Sequence, residues 1–317
     1  MEVALFLGLL IGYQLALLLD RILDKIRTLD RLKRITGLAN YAMVPDFRME
    51  LPDSSSGNVT GLRSLIQDPA FEYSSYRESF RVLRTNLSYA PVDKPLVTVS
   101  VLSPGHAEGK TLINANLALS LAQVGKKVLL VDADLRKPAL GPLFGIQVPE
   151  NKGLPAALSG HGTWKSMVVS SGIGNLDLLP NRMVLPNTTE LLSGESMKRF
   201  VAEAKNAYDY VVFDGASLLQ MTDSLVLASL LDGVVLLARW NKTRSAEVGK
   251  AMEELRSVNA QVLGTLLNYA DLKKGYFSAG SLSEYGHKTL AEKRGAGWKK
   301  SFPLIKKGLG IFKWFLP

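Results

Sequence analysis

The residues best suited to chemistry are Gly109, Lys110 and Thr111, which close the stretch SPGHAEGKT. An apolar, β-branched run, Leu96 to Leu102, comes before that stretch, and an apolar-periodic segment, Leu112 to Val124, follows it. The order is therefore strand, turn, helix, the context a phosphate loop requires. Unpaired N–H groups at a helix N-terminus, together with the helix dipole, attract a polyphosphate. The expected ligand is a nucleotide, its phosphates cradled by Gly105, His106, Ala107, Glu108, Gly109, Lys110, Thr111 and Leu112. Lys110 would reach the β- and γ-phosphates, and the Thr111 hydroxyl would ligate Mg²⁺. The strict spacing of such loops puts a glycine where this chain has Pro104, and Gly105 comes one place late.

Acids stand at the ends of two further strand candidates. KVLLVD, residues 127 to 132, runs into Asp132-Ala133-Asp134, with Arg136 and Lys137 behind; DYVVF, residues 209 to 213, runs into Asp214. Carboxylates at the C-terminal edge of an open α/β sheet sit where such sheets bind ligands, and Asp214 is placed to hold Mg²⁺, usually through water. More buried-type strands are expected at Leu176 to Leu179, Gly233 to Ala238 and Val262 to Leu267, with a helix over Ser245 to Val258. Strands alternating with helices predict an α/β fold: a doubly wound, mostly parallel sheet of P-loop NTPase type. Asn268, ending the last strand, is a candidate for adenine contact or for plain strand-end capping.

Composition bounds what else the chain can do. With 317 residues, 47% of them hydrophobic, one α/β core of about 200 residues is affordable, with extensions at both ends. Cysteine is absent and the three histidines are scattered, which excludes disulfides and thiolate metal sites. The net charge of +9 is carried by the ends: residues 286 to 317 hold +7, residues 1 to 34 hold +2, and the stretch between is neutral. A neutral core disfavours nucleic acid. Val3 to Leu19 is uncharged and just long enough for a transmembrane helix. Arg21, Lys25, Arg27, Arg31, Lys33 and Arg34 behind it predict a membrane-anchored chain whose globular domain faces the cytoplasm. Residues 57 to 75 look like a linker. Lys299, Lys300, Lys306, Lys307 and Lys313, interleaved with Phe302, Ile311, Phe312, Trp314 and Phe315, suggest a second contact with membrane. The expected organisation is a transmembrane helix at 1–20, a juxtamembrane segment and linker at 21–71, the nucleotide-binding domain at 72–272 and a basic tail at 273–317.

In YRESFRVLRTNL, three-residue spacing puts Glu78, Arg81 and Arg84 along one side of a helix, away from Phe80, Leu83 and Leu87. That piece, with SPGHAEGKT, KVLLVDADLRKP, LPNTTELLSG, YDYVVFD and LDGVVLLARWNKT, resembles the bacterial tyrosine kinases of capsular and exopolysaccharide export, within the wider MinD/ParA-type ATPases. The resemblance spans roughly residues 72 to 272. It implies an ATP- and Mg²⁺-dependent protein-tyrosine autokinase. Lys110 and Thr111 would belong to Walker A, Asp132 and Asp134 to Walker A′, and Asp214 to Walker B. Lys110, Asp132 and Asp134 are then the catalytic candidates, with Asp132 taking the attacking tyrosine's proton. Thr111, Asp134 and Asp214 are the metal candidates. Glu78, Arg81 and Arg84 would join subunits into a homo-oligomer. LLDRILDKIRTLDRLKRITGL resembles the segment after the second membrane helix of polysaccharide co-polymerases, which makes a co-polymerase or export machinery the expected partner. Two departures bear on function. Gly215-Ala216-Ser217 stands where the family has Thr-Pro-Pro, and only Tyr276 and Tyr285 follow Asp271 where the family has a tyrosine cluster. An ATPase switch that transfers nothing to tyrosine and a kinase-inactive regulatory partner are therefore rival expectations.

Overall fold

The computed structural model describes residues 8–14, 24–46, 74–92, 95–149, 152–183 and 188–271. Its centre is one eight-stranded sheet: β1 (Asn40–Pro45), β2 (Thr98–Leu102), β3 (Val128–Asp132), β4 (Val169–Ile173), β5 (Leu176–Leu179), β6 (Tyr210–Asp214), β7 (Gly233–Arg239) and β8 (Val262–Ala270), in the order β1-β8-β7-β2-β6-β3-β5-β4. All neighbours pair in parallel except β4, which is antiparallel to β5. Every residue of β2 and β3 is buried, as expected for parallel strands covered on both faces.

Alternate side chains go to opposite layers. Val99, Val101, Val128, Leu130 and Val212 enter a core under α2 (Ser75–Ser88) and α3 (Lys110–Ala122). Leu129, Val131, Val211 and Phe213 face a second core beneath α8 (Glu195–Ala207), the neighbouring short helices α5 (Leu154–Leu158), α6 (Trp164–Met167) and α7 (Thr188–Ser193), and α9 (Asp223–Leu230). Leu102, Val234 and Leu236 meet α10 (Ser245–Ser257) and α1 (Leu29–Thr36). A short helix, α4 (Leu140–Phe144), follows the loop after β3. The doubly wound sheet is as expected from the alternating pattern, and its consequence is that β2, β6 and β3 end side by side.

The expected boundary at residue 72 needs correction, because residues 24–46 belong to the fold. Thr28 caps α1 by accepting from Arg31 N, Gly37 ends it in the left-handed region at φ 72°, and β1 adds to the sheet edge beside β8. Gly264 of β8 permits this: a Cβ there would stand 2.3 Å from the Tyr41 ring. Upstream, Ile26 N donates to Thr243 O and Asn241 N donates to Ile26 O, both at 2.8 Å. Of the proposed membrane run, residues 8–14 are helical and exposed, and the rest lies outside the described residues, as do residues 47–73 and the basic tail. Among the described residues no helix is long and apolar enough to cross a membrane.

Leu32 of α1 is fully buried against the third core. Leu32→Ala should therefore cost about 2–5 kcal/mol and move the single urea transition of the whole domain. An unchanged transition would show that residues 24–46 do not share the domain's cooperativity.

Candidate functional site

The loop from Ser103 to Gly109 joins β2 to α3, and its shape is set by what holds its carbonyls. Lys242 Nζ donates to His106 O at 2.9 Å, Arg239 Nη1 to Ala107 O at 2.6 Å, and Asn268 Nδ2 to Glu108 O at 2.8 Å. In a trans peptide the N–H points opposite to the C=O. Three successive carbonyls drawn outward therefore turn the amides of Ala107, Glu108 and Gly109 the other way, into the loop. Convergent backbone N–H groups of this kind form an anion-binding concavity. Ala107 at φ 52° and Gly109 at φ 97° supply the left-handed turns, and a Cβ on Gly109 would fall 2.3 Å from Asn268 Nδ2. The Glu108 carboxylate is buried and braces the loop from beneath: it accepts from Gly105 N at 2.7 Å and from the Thr243 hydroxyl.

Lys110 is the first residue of α3, and its ammonium lies 3.4 Å from Gly105 O, curled over the loop. Burial lowers its pKa, while Asp214, Glu108 and Asp134 pull it back up. Thr111 follows on the first turn and sits close enough to Asp214 to lower that group's pKa. The side chain of Leu112 is partly buried against the first core.

Asp132 and Asp214 are register partners on β3 and β6, both fully buried. Asp132 Oδ2 accepts from Ala139 N at 3.0 Å and Leu140 N at 3.1 Å, whereas Oδ1 has no partner. Asp214 Oδ1 accepts from Asn114 Nδ2 at 3.1 Å, and its Oδ2 likewise has no partner. Buried polar atoms without partners are rare in folded proteins and ask for a ligand. Burial first, then the neighbouring Asp214 charge, pushes Asp132 well above the ordinary carboxylate range. Burial also raises Asp214 to about 6, with Thr111, Asn114 and Lys110 offsetting part of it. Asp134 is more open and accepts from Arg136 N at 3.2 Å and Lys137 N at 2.9 Å. Among the described residues no three His, Cys, Asp or Glu side chains converge as a closed metal cage. The donor set suits Mg²⁺ instead, which takes one or two carboxylates and completes its shell with water and phosphate oxygens.

The structure thus brings together Gly105 to Thr111, Asp132, Asp134 and Asp214. It places two expected residues differently. Asn268 is buried and already committed: Nδ2 holds the loop and Oδ1 accepts from Tyr269 N at 2.9 Å, which favours strand-end capping over adenine contact. Arg84 is not free on an outer face, because α2 packs on α3 and its Nη1 donates to Ser120 O at 2.7 Å. Glu78 and Arg81 stay at the surface as an intrahelical ion pair at 3.1 Å. Sequence reasoning missed Asn114, Arg239, Lys242 and Thr243. Asn114, the first of three polar residues between Leu112 and Ala122 and four places after Lys110, was the one detectable signal.

Both buried carboxylates bind protons more tightly in the folded than in the unfolded chain. Their contribution therefore lowers stability as pH rises above about 4; for Asp214 the window closes near pH 6, and the shift from 3.8 to about 6 amounts to about 3 kcal/mol. Asp214→Asn should stabilise the nucleotide-free protein at pH 8 and flatten this slope in urea titrations at pH 5 and 8. An unaltered slope would remove Asp214 as its source.

The comparisons with known proteins agree with this geometry. The family described as AAA domain matches residues 103–259. Tyrosine-protein kinase YwqD of Bacillus subtilis (strain 168) is 38% identical over 210 residues, 66% of this chain and 85% of that protein. The putative tyrosine-protein kinase EpsB of Ralstonia nicotianae is 29% identical over 281 residues, 87% of this chain but 36% of that protein. The solved kinase domain of Escherichia coli tyrosine kinase ETK is similar at a TM-score of 0.69 and 25% identity, across 80% of this chain and 99% of that one. With a phosphate loop, two strand-end carboxylates beside it, and a relative of this identity matched over most of its length, the chain belongs to the bacterial tyrosine kinase family.

Proposed function

We propose that this chain binds Mg²⁺·ATP and transfers the γ-phosphoryl group to tyrosine hydroxyls, its own among them, in the control of exopolysaccharide or capsule export. The observation that carries the reading is the pair of unpartnered, fully buried oxygens, Asp132 Oδ1 and Asp214 Oδ2, at adjacent strand ends beside the Lys110 loop. The loop amides and Lys110 would bind the phosphates. The Thr111 hydroxyl, with Asp214 and Asp134 acting through water, would hold Mg²⁺. When bound, the metal would neutralise charge on the phosphate oxygens. Asp132 fits the base: a carboxylate whose burial favours protonation accepts a proton readily, and its free Oδ1 is where the proton would go. As the tyrosyl oxygen bonds to the γ-phosphorus, the bond from that phosphorus to the β–γ bridging oxygen breaks. The proton passes to Asp132 and ADP leaves.

Anchoring in the inner membrane, a homo-oligomer that uses Glu78 and Arg81, and a polysaccharide co-polymerase as partner extend this reading. They rest on the apolar run at residues 3 to 19, on an exposed charged pair, and on the family. The basic tail as a second membrane contact is a further part of it. Hydrolysis without transfer is the second reading, and Gly215-Ala216-Ser217 after Asp214, in place of the family's Thr-Pro-Pro, is the feature that favours it.

The test is incubation with γ-labelled ATP and Mg²⁺, scoring protein label and free phosphate separately. Label on tyrosine supports the kinase; free phosphate alone supports the switch. Lys110→Met should abolish ATP binding with the fold intact. Asp132→Asn should keep ATP affinity while transfer falls by about 10²–10⁴. Transfer at the parent rate in Asp132→Asn would remove it as the base.

A further inference from the structure

Asp223, the first residue of α9, belongs neither to the phosphate loop nor to the three strand-end acids, yet it is a buried charge with a full set of partners. Its Oδ2 accepts from Arg136 Nε at 2.8 Å and from the Thr188 hydroxyl at 2.7 Å; its Oδ1 accepts from the Thr189 hydroxyl. One side chain therefore ties the N-termini of α7 and α9 to the loop that leaves β3. Burial alone would raise its pKa, but Arg136, Thr189 and Thr188 hold it below the ordinary carboxylate value, so it is charged at neutral pH.

What matters is where Arg136 stands. Its backbone N–H and that of Lys137 donate to Asp134 Oδ1. Asp134 is therefore bonded to its own turn and goes where that turn goes. The other end of the same loop is pinned by Asp132, whose Oδ2 accepts from Ala139 N and Leu140 N. Between these two anchors, the contact between the Arg136 side chain and Asp223 fixes the turn to the body of the protein. Groups that orient a metal's ligands without touching the metal commonly govern its affinity.

We propose that Asp223 is a positioning residue: through Arg136 it sets the turn that presents the Asp134 carboxylate to Mg²⁺. The inference rests on the metal assignment made under the proposed function, but not on tyrosine as the acceptor. If Asp223 only joined α7 to α9, its loss would weaken folding and nucleotide binding together. A positioning role separates them.

The experiment measures ADP affinity of the full-length chain by calorimetry, with and without Mg²⁺, alongside urea stability. In Asp223→Asn the affinity for ADP without metal should stay within about twofold, while the enhancement by Mg²⁺ falls about tenfold or more. Arg136→Gln should lose the same enhancement, and the double variant no more than either single one, since both act through one contact. Arg136 has a side chain 35% exposed, so Arg136→Gln carries the test if Asp223→Asn does not fold. An undiminished Mg²⁺ enhancement in the folded single variants, additive losses in the double variant, or a parent whose ADP affinity ignores Mg²⁺ would each overturn the proposal. A parent that shows the enhancement but transfers nothing to tyrosine leaves it standing and rejects the kinase reading alone.

Discussion

Two carboxylates side by side in the interior of a sheet are the constraint on which this structure depends. Asp132 and Asp214 are register partners, each fully buried and each with one oxygen unpartnered. Burying a charge without a counterpart is among the costliest things a fold can do. The protein reduces that cost without removing it. Asn114 and the amides of Ala139 and Leu140 satisfy one oxygen of each, and the nearby Lys110 favours the ionised form of Asp214. The two remaining oxygens keep the affinity for a cation or a proton that the proposed chemistry uses. Strain of this kind, confined to a functional site and supported by a large core, is an expected feature of natural proteins.

The phosphate loop presents the complementary problem. A loop binds anions only if its amides converge, and a free loop would satisfy its carbonyls and amides at random. Here Arg239, Lys242 and Asn268, from the ends of β7 and β8 and the turn between β7 and α10, hold three carbonyls outward. The loop is therefore organised by strands one and two places to the side of β2, and the order β8-β7-β2 brings them within reach. The acids come from the other side, where β6 and β3 follow β2. The strand order thus separates a cation-braced flank from a carboxylate flank, with the phosphate loop between them.

Much of this was legible in the sequence because parallel strands covered on both faces read as unbroken apolar runs. Leu176 to Leu179 coincides with β5, and the other five expected strands were displaced by one to three residues at one or both ends. Two strands lacked that signal. β4, VSSGI, is a polar edge strand, and β1, NYAMVP, is short and ends in proline. Candidate site residues on strand ends and in the loop could be picked out because their type and neighbours announce them. Asn268 could not be assigned, since its partner Glu108 lies 160 residues away in the chain. Arg84 was misplaced for a related reason: helical spacing identifies a face but not the helix that will cover it, and α3 covers part of this one.

The docking of residues 24–27 carries this logic to the phosphate loop itself. Lys25 forms a bridge with Arg244, and Ile26 exchanges backbone hydrogen bonds with Thr243 and Asn241. Thr243 also accepts from Arg239 N through its hydroxyl and donates that hydroxyl to Glu108, the carboxylate beneath the loop. The turn that supplies Lys242 to the loop carbonyls is therefore clasped on its far side by the segment leading into α1. A pull on residue 24 would reach the loop through two hydrogen-bonded residues, Ile26 and Thr243. Glu108, fixed at both oxygens, leaves little slack for absorbing it. The position of this segment and the shape of the loop are thus mechanically linked, a consequence of β1 and α1 folding as part of the domain and not as a tether outside it.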